Sequence, residues 1–131
     1  MSANAAVEQR LVAVLGTWAA ASTLVGAGLA ARPATRGFGR QTAAWGLVDG
    51  AIALVGARRR ASRGPTDPGR LRRVLLVNAG LDVGYIATGL ALARHPRAPE
   101  RLRGDGAAVV VQGAFLLLLD LTAAAALRPF R

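Results

Sequence analysis

Cysteine and lysine are both absent from this 131-residue chain, histidine occurs once, and aromatic residues make up 5% of it. Without a thiol there is no disulfide scaffold, no zinc–thiolate site and no cysteine nucleophile. The lone His95 sits beside Pro96 in a polar connection. That placement excludes a buried bis-histidine haem, leaves a di-iron Glu-x-x-His site without its ligands, and gives a seryl triad no base within reach. Glycine is abundant, yet no glycine run leads into Lys-Ser or Lys-Thr, so no phosphate loop is present. Charge is sparse as well, 18% of residues against about a quarter in ordinary soluble domains. Length allows one domain at most, and a hydrophobic content of 53% excludes a disordered chain.

What the chain does have is arginine and long apolar blocks. The net charge of +10 would suggest a nucleic-acid binder in a soluble protein, but position matters more than the total. Nearly uncharged stretches run over residues 11–31, 41–57, 74–93 and 106–127. Each is about as long as a helix must be to cross roughly 30 Å of hydrocarbon at 1.5 Å per residue. Arg10 and Arg32, Arg40 and Arg58, Arg73 and Arg94, and Arg103 and Arg128 bracket them in turn. Long cationic side chains reach headgroups from helix ends but are costly at mid-depth. A soluble four-helix bundle needs a polar stripe on each helix. In the last block Val109, Val110, Val111, Phe115 and Leu116 to Leu119 point in every direction instead. The expectation is therefore an all-α polytopic membrane protein, a single domain of four transmembrane helices in a bundle. The first block exceeds the 7 to 15 residues of a signal-peptide core, and Glu8 stands where a positive leader should be, so it is expected to be retained.

Arginines near the helix ends set the expected orientation. Ten fall on the side of the termini and the middle loop, and seven on the other, so both termini are expected to be cytoplasmic, at the inner membrane. The basic loop 58–73 dominates that count. It holds Gly64, Pro65, Pro68 and Gly69, which mark a turn-rich connection rather than a fifth helix. The loop contains no aromatic residue on which bases would stack, so it is read as a topology anchor facing anionic lipid, with no nucleic-acid partner.

The two halves of the chain resemble each other. Gln41 and Asp49 are eight residues apart, as are Gln112 and Asp120, and each acid is followed by apolar residues and then an arginine. A duplicated helical hairpin would place parallel halves about an axis along the membrane normal. Low-complexity alanine and leucine can produce the same match.

Three of the seven acidic residues, Asp49, Asp82 and Asp120, lie inside the expected spans. Each is roughly 10 to 12 Å from the same end of the bundle at 1.5 Å per residue, so all three converge near the midplane. An aspartate there costs about 2.5 to 3.5 kcal/mol on insertion scales and normally faces the bundle interior. Asn78, Asp82 and Tyr85 share one face of the third helix, and Gly80, Gly84 and Thr88 form a small-residue row on the opposite face where another helix is expected to approach. Gln41, Trp45 and Asp49 climb one face of the second helix, and Gln112, Leu116 and Asp120 one face of the fourth. The first helix, with Thr17, Trp18, Ser22 and Thr23, reads as the least polar wall.

No arginine or histidine falls within a span to balance these acids. Protonated acids hydrogen-bonded to neighbouring amides and phenol, a hard cation such as sodium, magnesium or calcium, or a water-filled cavity would each satisfy them. Two functions follow. One is a midplane carboxyl and amide site that binds or passes a proton, small cation or small polar solute. There Asp82 and Asp120 are the principal acids, Asn78, Tyr85 and Gln112 orient them, and Asp49, Gln41 and Trp45 contribute from the second helix. With four helices, a complete path would need a homodimer or a partner membrane subunit. The other is a structural or assembly subunit whose polar cluster only fixes helix packing. An aspartyl dyad is the surviving enzymatic alternative, and nothing flanking either acid favours it. No resident cofactor is implied.

The stretches Asn78-Ala79-Gly80-Leu81-Asp82-Val83-Gly84-Tyr85 and Gln112-Gly113-Ala114-Phe115-Leu116-Leu117-Leu118-Leu119-Asp120 resemble the best-marked segments of a family of small bacterial four-helix membrane proteins of unknown function. Trp45-Gly46-Leu47-Val48-Asp49 resembles its second-helix segment, where the family often carries an amide in place of Asp49. Trp18 matches as well, while Ser22 stands near a family amide. The resemblance covers about residues 11 to 127. It implies the membrane topology, singles out Asn78, Asp82, Tyr85, Gln112 and Asp120, and implies that a charge at position 49 is dispensable.

Overall fold

Helix capping explains where the chain turns. In the computed structural model, which describes residues 2–127, Ser2 accepts a hydrogen bond from the Ala5 amide at 3.1 Å and starts α1, Ala3–Ala30. A short 3-10 turn at Pro33–Thr35 follows, and the Thr35 hydroxyl donates back to the Leu29 carbonyl at 2.7 Å. Helix α2 runs Arg36–Arg63 and stops at Gly64, whose φ of 75° is the left-handed conformation that suits glycine. Asp67 then caps α3, Pro68–Arg94, by accepting from the Arg70 amide at 2.9 Å, with Pro68 in the first turn. Helix α4, Glu100–Ala126, follows Pro99.

All four helices outrun their apolar blocks. Arg58 to Arg63 continue α2 and Arg70 to Arg73 belong to α3, so the expected loop 58–73 shrinks to residues 64–67. Arginine and alanine are good helix formers, and the caps at Gly64 and Asp67 set the ends where composition did not. The terminal arginines Arg128 and Arg131, used in the orientation count, lie outside the described residues.

The helices pair as two hairpins, α1 with α2 and α3 with α4, and α2 packs on α4 to join them. Among the described residues the backbone of α3 stands off from those of α1 and α2, and side chains bridge the gap: Tyr85 meets Trp45 of α2, and Val7 and Leu11 of α1 pack on the cluster of Leu75 and the end of α4. Within each hairpin the backbones approach through glycine. A Cβ on Gly46 would stand 2.5 Å from the Thr23 hydroxyl of α1, and one on Gly89 would stand 2.7 Å from the Gly106 carbonyl of α4. The small-residue row of α3 is different. A Cβ on Gly80 or Gly84 would meet nothing within 4 Å, so the helix expected against that face is not there. Helix α3 packs on α4 through Ala79, Asp82, Ile86 and Gly89 instead, the face that carries the acid.

Burial is inverted relative to a water-soluble bundle. The interior holds mainly alanine together with Glu8, Ser22, Thr42, Asp49, Asp82, Asp105, Gln112 and Asp120, while Leu24, Leu47, Val55 and Leu118 are each at least 65% exposed. Helices α1, α3 and α4 are long and apolar enough to cross a membrane. Helix α2 falls short of that measure because Gln41, Thr42, Trp45, Asp49 and Gly46, Gly50 and Gly56 interrupt its central stretch. Its outward residues Leu47, Val48, Ile52, Leu54 and Val55 are nonetheless apolar and exposed.

Candidate functional site: a carboxyl-lined cavity between the hairpins

The slot left between α3 and the α1/α2 hairpin is a cavity of about 450 Å³, with Leu116, Leu119 and Asp120 of α4 at its base. Asp49 enters it from α2 and Asp82 from α3, at 1% and 3% exposure. Helical geometry accounts for the meeting: α2 and α3 run in opposite directions from the 64–67 turn, with Asp49 fourteen residues before the end of α2 and Asp82 fourteen residues after the start of α3. Helix α4, which packs on both, brings Asp120 to them from six residues before its own end. Asp82 and Asp120 are close enough for their carboxyls to hydrogen-bond when one carries a proton; Asp82 is the charged neighbour of Asp49, and Asp120 feels both. One oxygen of Asp49 and one of Asp82 are buried with no hydrogen-bond partner.

Trp45 and Tyr85 close the end far from the 64–67 turn. Their rings meet edge to face across the slot with centroids 5.3 Å apart. At the other end, Glu8, Arg59 and Thr66 form the mouth. The Glu8 carboxylate accepts from the Thr66 amide at 2.9 Å and from its hydroxyl at 2.6 Å, and Arg59 donates to the same hydroxyl. Glu8 thereby ties the start of α1 to the α2–α3 turn. Apolar run length gives no sign of this role, because Glu8 precedes the first apolar block and its partner is 58 residues away.

Six of the eight residues singled out in the sequence line this cavity: Trp45, Asp49, Asn78, Asp82, Tyr85 and Asp120. Asn78 is exposed and lies on the wall rather than against a carboxyl. Gln112 does something else. Buried to 1% exposure, it accepts from the Trp18 indole at 2.8 Å and donates to the Ser22 hydroxyl at 3.2 Å, while Trp18 stacks on Phe115 with centroids 3.8 Å apart. Its amide clamps α1 to α4 instead of orienting the acids, because it sits two turns before Asp120 and faces α1. Gln41, half-buried, is not part of the lining. The first helix is accordingly no plain wall: it supplies Glu8 to the mouth and Trp18 and Ser22 to the clamp. Away from the cavity, Arg40 pairs with Asp105 at 3.4 Å. Among the described residues no three histidine, cysteine or acidic side chains are grouped so as to hold a metal ion.

A helical bundle with an apolar exterior and acids gathered around an internal cavity is thus the class of protein this fold defines. A family model described as Family of unknown function (DUF6992) matches residues 14–121, and the chain belongs to that family. The match takes in Trp18, Asp49, Asp82, Gln112 and Asp120 and leaves Glu8 outside it. No curated protein and no solved structure matches the chain.

Proposed function

We propose that this is an integral membrane protein of four crossings, termini on the cytoplasmic side, whose cavity binds and passes a proton or small cation through Asp49, Asp82 and Asp120. The fourth crossing is α2, carried by its exposed apolar face, with Asp49 buried inside the bundle. The observation that supports the reading most is the pair of buried, unpartnered oxygens on Asp49 and Asp82. Buried oxygens of Thr42 and Asp105 also lack partners but lie away from the cavity, whereas those of Asp49 and Asp82 belong to its lining, where a ligand can offset the cost of about 1 to 3 kcal/mol that an unmet buried polar group carries. Gln112, hydrogen-bonded through both its oxygen and its nitrogen, favours the second reading, a structural subunit, for its own cluster alone. A second copy or a partner subunit would complete a path from the far side of Trp45 and Tyr85.

The test replaces Asp82 and Asp120 with asparagine, singly and together, in protein reconstituted into liposomes. Loss of proton- or sodium-driven flux with melting temperatures near the native value supports the site. Native melting temperature and native flux in the double variant would overturn it, and collapse of every variant without any ligand response in the native protein would favour the structural subunit.

A further inference from the structure

Resting on that reading of the acids, we propose that the cavity also takes a hydrophobic organic cation, an amine or a quaternary ammonium or phosphonium, which enters sideways from the bilayer through the slot between α2 and α3. Size is the first argument. At about 450 Å³ the cavity falls within the range of about 300 to 1,000 Å³ typical of organic-ligand pockets and is far larger than a bare ion needs. The lining is the second. Leu11, Leu15, Leu75, Leu116 and Leu119 give apolar walls, in which a metal ion would find few oxygens and an organic cation finds contact area.

Charge and aromatic geometry agree. Asp49 and Asp82 present buried oxygens without partners, the complement a desolvated cation requires. Trp45 and Tyr85 stand one turn beyond these acids and offer ring faces to an alkylammonium group. The route follows from the rim. Val48 and Ile52 of α2 and Val74 and Leu81 of α3 line the cavity while remaining 49% to 56% exposed, so the slot opens on an apolar surface at the depth of the acids. The other opening is the mouth of Glu8, Arg59 and Thr66, where the Glu8 carboxylate and the Arg59 guanidinium are both engaged on Thr66, and the adjoining helix ends carry an excess of arginine that opposes a cation arriving from water. A solute already partitioned into lipid avoids that barrier.

Binding to the full chain in lipid nanodiscs tests this, with tetraphenylphosphonium as probe and neutral triphenylphosphine oxide as its uncharged counterpart. Calorimetry and tryptophan fluorescence provide the readouts. The cation is expected to bind and the neutral molecule not to bind. Asp82→Asn should weaken the cation by about thirtyfold or more, the scale for removing one partner of a buried charge pair. Trp45→Leu should weaken it by roughly two- to thirtyfold. Equal affinity for the two probes overturns the proposal, as does unchanged affinity in a folded Asp49→Asn/Asp82→Asn variant. Should the aspartate variants not fold, the comparison of probes on the native protein and the Trp45→Leu variant still decide it. Failure of tetraphenylphosphonium to bind a protein that retains proton- or sodium-driven flux overturns the ligand class and leaves the small-cation reading standing; loss of both responses overturns both. Cross-linking of Val48→Cys between two copies, with the probe shut out, assigns the slot to a dimer interface and also overturns the proposal.

Discussion

Two kinds of buried polar residue coexist in the bundle, and their hydrogen bonding separates them. Gln112 has partners on both its oxygen and its nitrogen, so its role is to hold α1 against α4. Replacing it with leucine keeps the volume but strands the Trp18 indole. The expected cost is about 0.6 to 1.7 kcal/mol, the range for interhelical hydrogen bonds in membrane proteins, measured by unfolding in mixed micelles. Proton- or sodium-driven flux should survive. Asp49 and Asp82, by contrast, each keep an oxygen without a partner. Their conversion to asparagine is expected to leave the melting temperature unchanged or to raise it while removing the ligand response, since the unpartnered oxygen of each is buried without a compensating bond.

At the scale of helices, glycine decides which faces touch. Gly46→Ala and Gly89→Ala place a methyl group against backbone or side-chain atoms of the opposing helix. Each should destabilise its hairpin by about 1 to 3 kcal/mol, the usual range for overpacking, whereas Gly80→Ala, with open space around it, should leave unfolding unchanged or slightly improve it through helix propensity. The α2–α3 turn has its own check. Glu8 anchors Thr66, and through that hydroxyl also engages Arg59. Thr66→Val removes the hydroxyl but not the amide contact. Trypsin should then cut after Arg63 several times faster than in the native protein, with the global melting temperature little changed, because local opening rather than unfolding exposes the turn.

For the whole molecule, the inverted distribution of apolar and polar residues bears on topology and on assembly alike. The chain contains no cysteine, so single-cysteine variants report position against a silent background. Ser62→Cys, in the last turn of α2, should be labelled by an impermeant maleimide from the cytoplasmic side, and Ala34→Cys, in the turn between α1 and α2, from the opposite side. Labelling of both from one face would refute four crossings and make α2 an interfacial helix. Much of this architecture was legible beforehand. Helix number, approximate helix positions and the meeting of Asp49, Asp82 and Asp120 follow from apolar run length and a rise of 1.5 Å per residue, and three of the four helices are apolar enough to span a membrane. Helix ends were less legible, because Arg58 to Arg63 are both good helix formers and good loop residues, and the choice fell to Gly64 and Asp67. The roles of Gln112 and Glu8 were not legible at all, since rotation of one helix about its axis decides whether an amide meets a carboxyl or an indole.

By itself the sequence determined that the chain is helical, apolar on the outside, cysteine-free, and provided with carboxyls at one level. Those properties are local sums over composition and spacing along a helix, and no contact between helices is needed to read them. Tertiary structure alone decided which helices pair, that α3 stands off from α1 and α2 to leave a cavity, that Gln112 clamps rather than orients, and that Glu8 guards the mouth. Each of these depends on how glycine-lined faces fit together across distant parts of the chain, a matter of shape complementarity that residue order encodes only through the packing it produces.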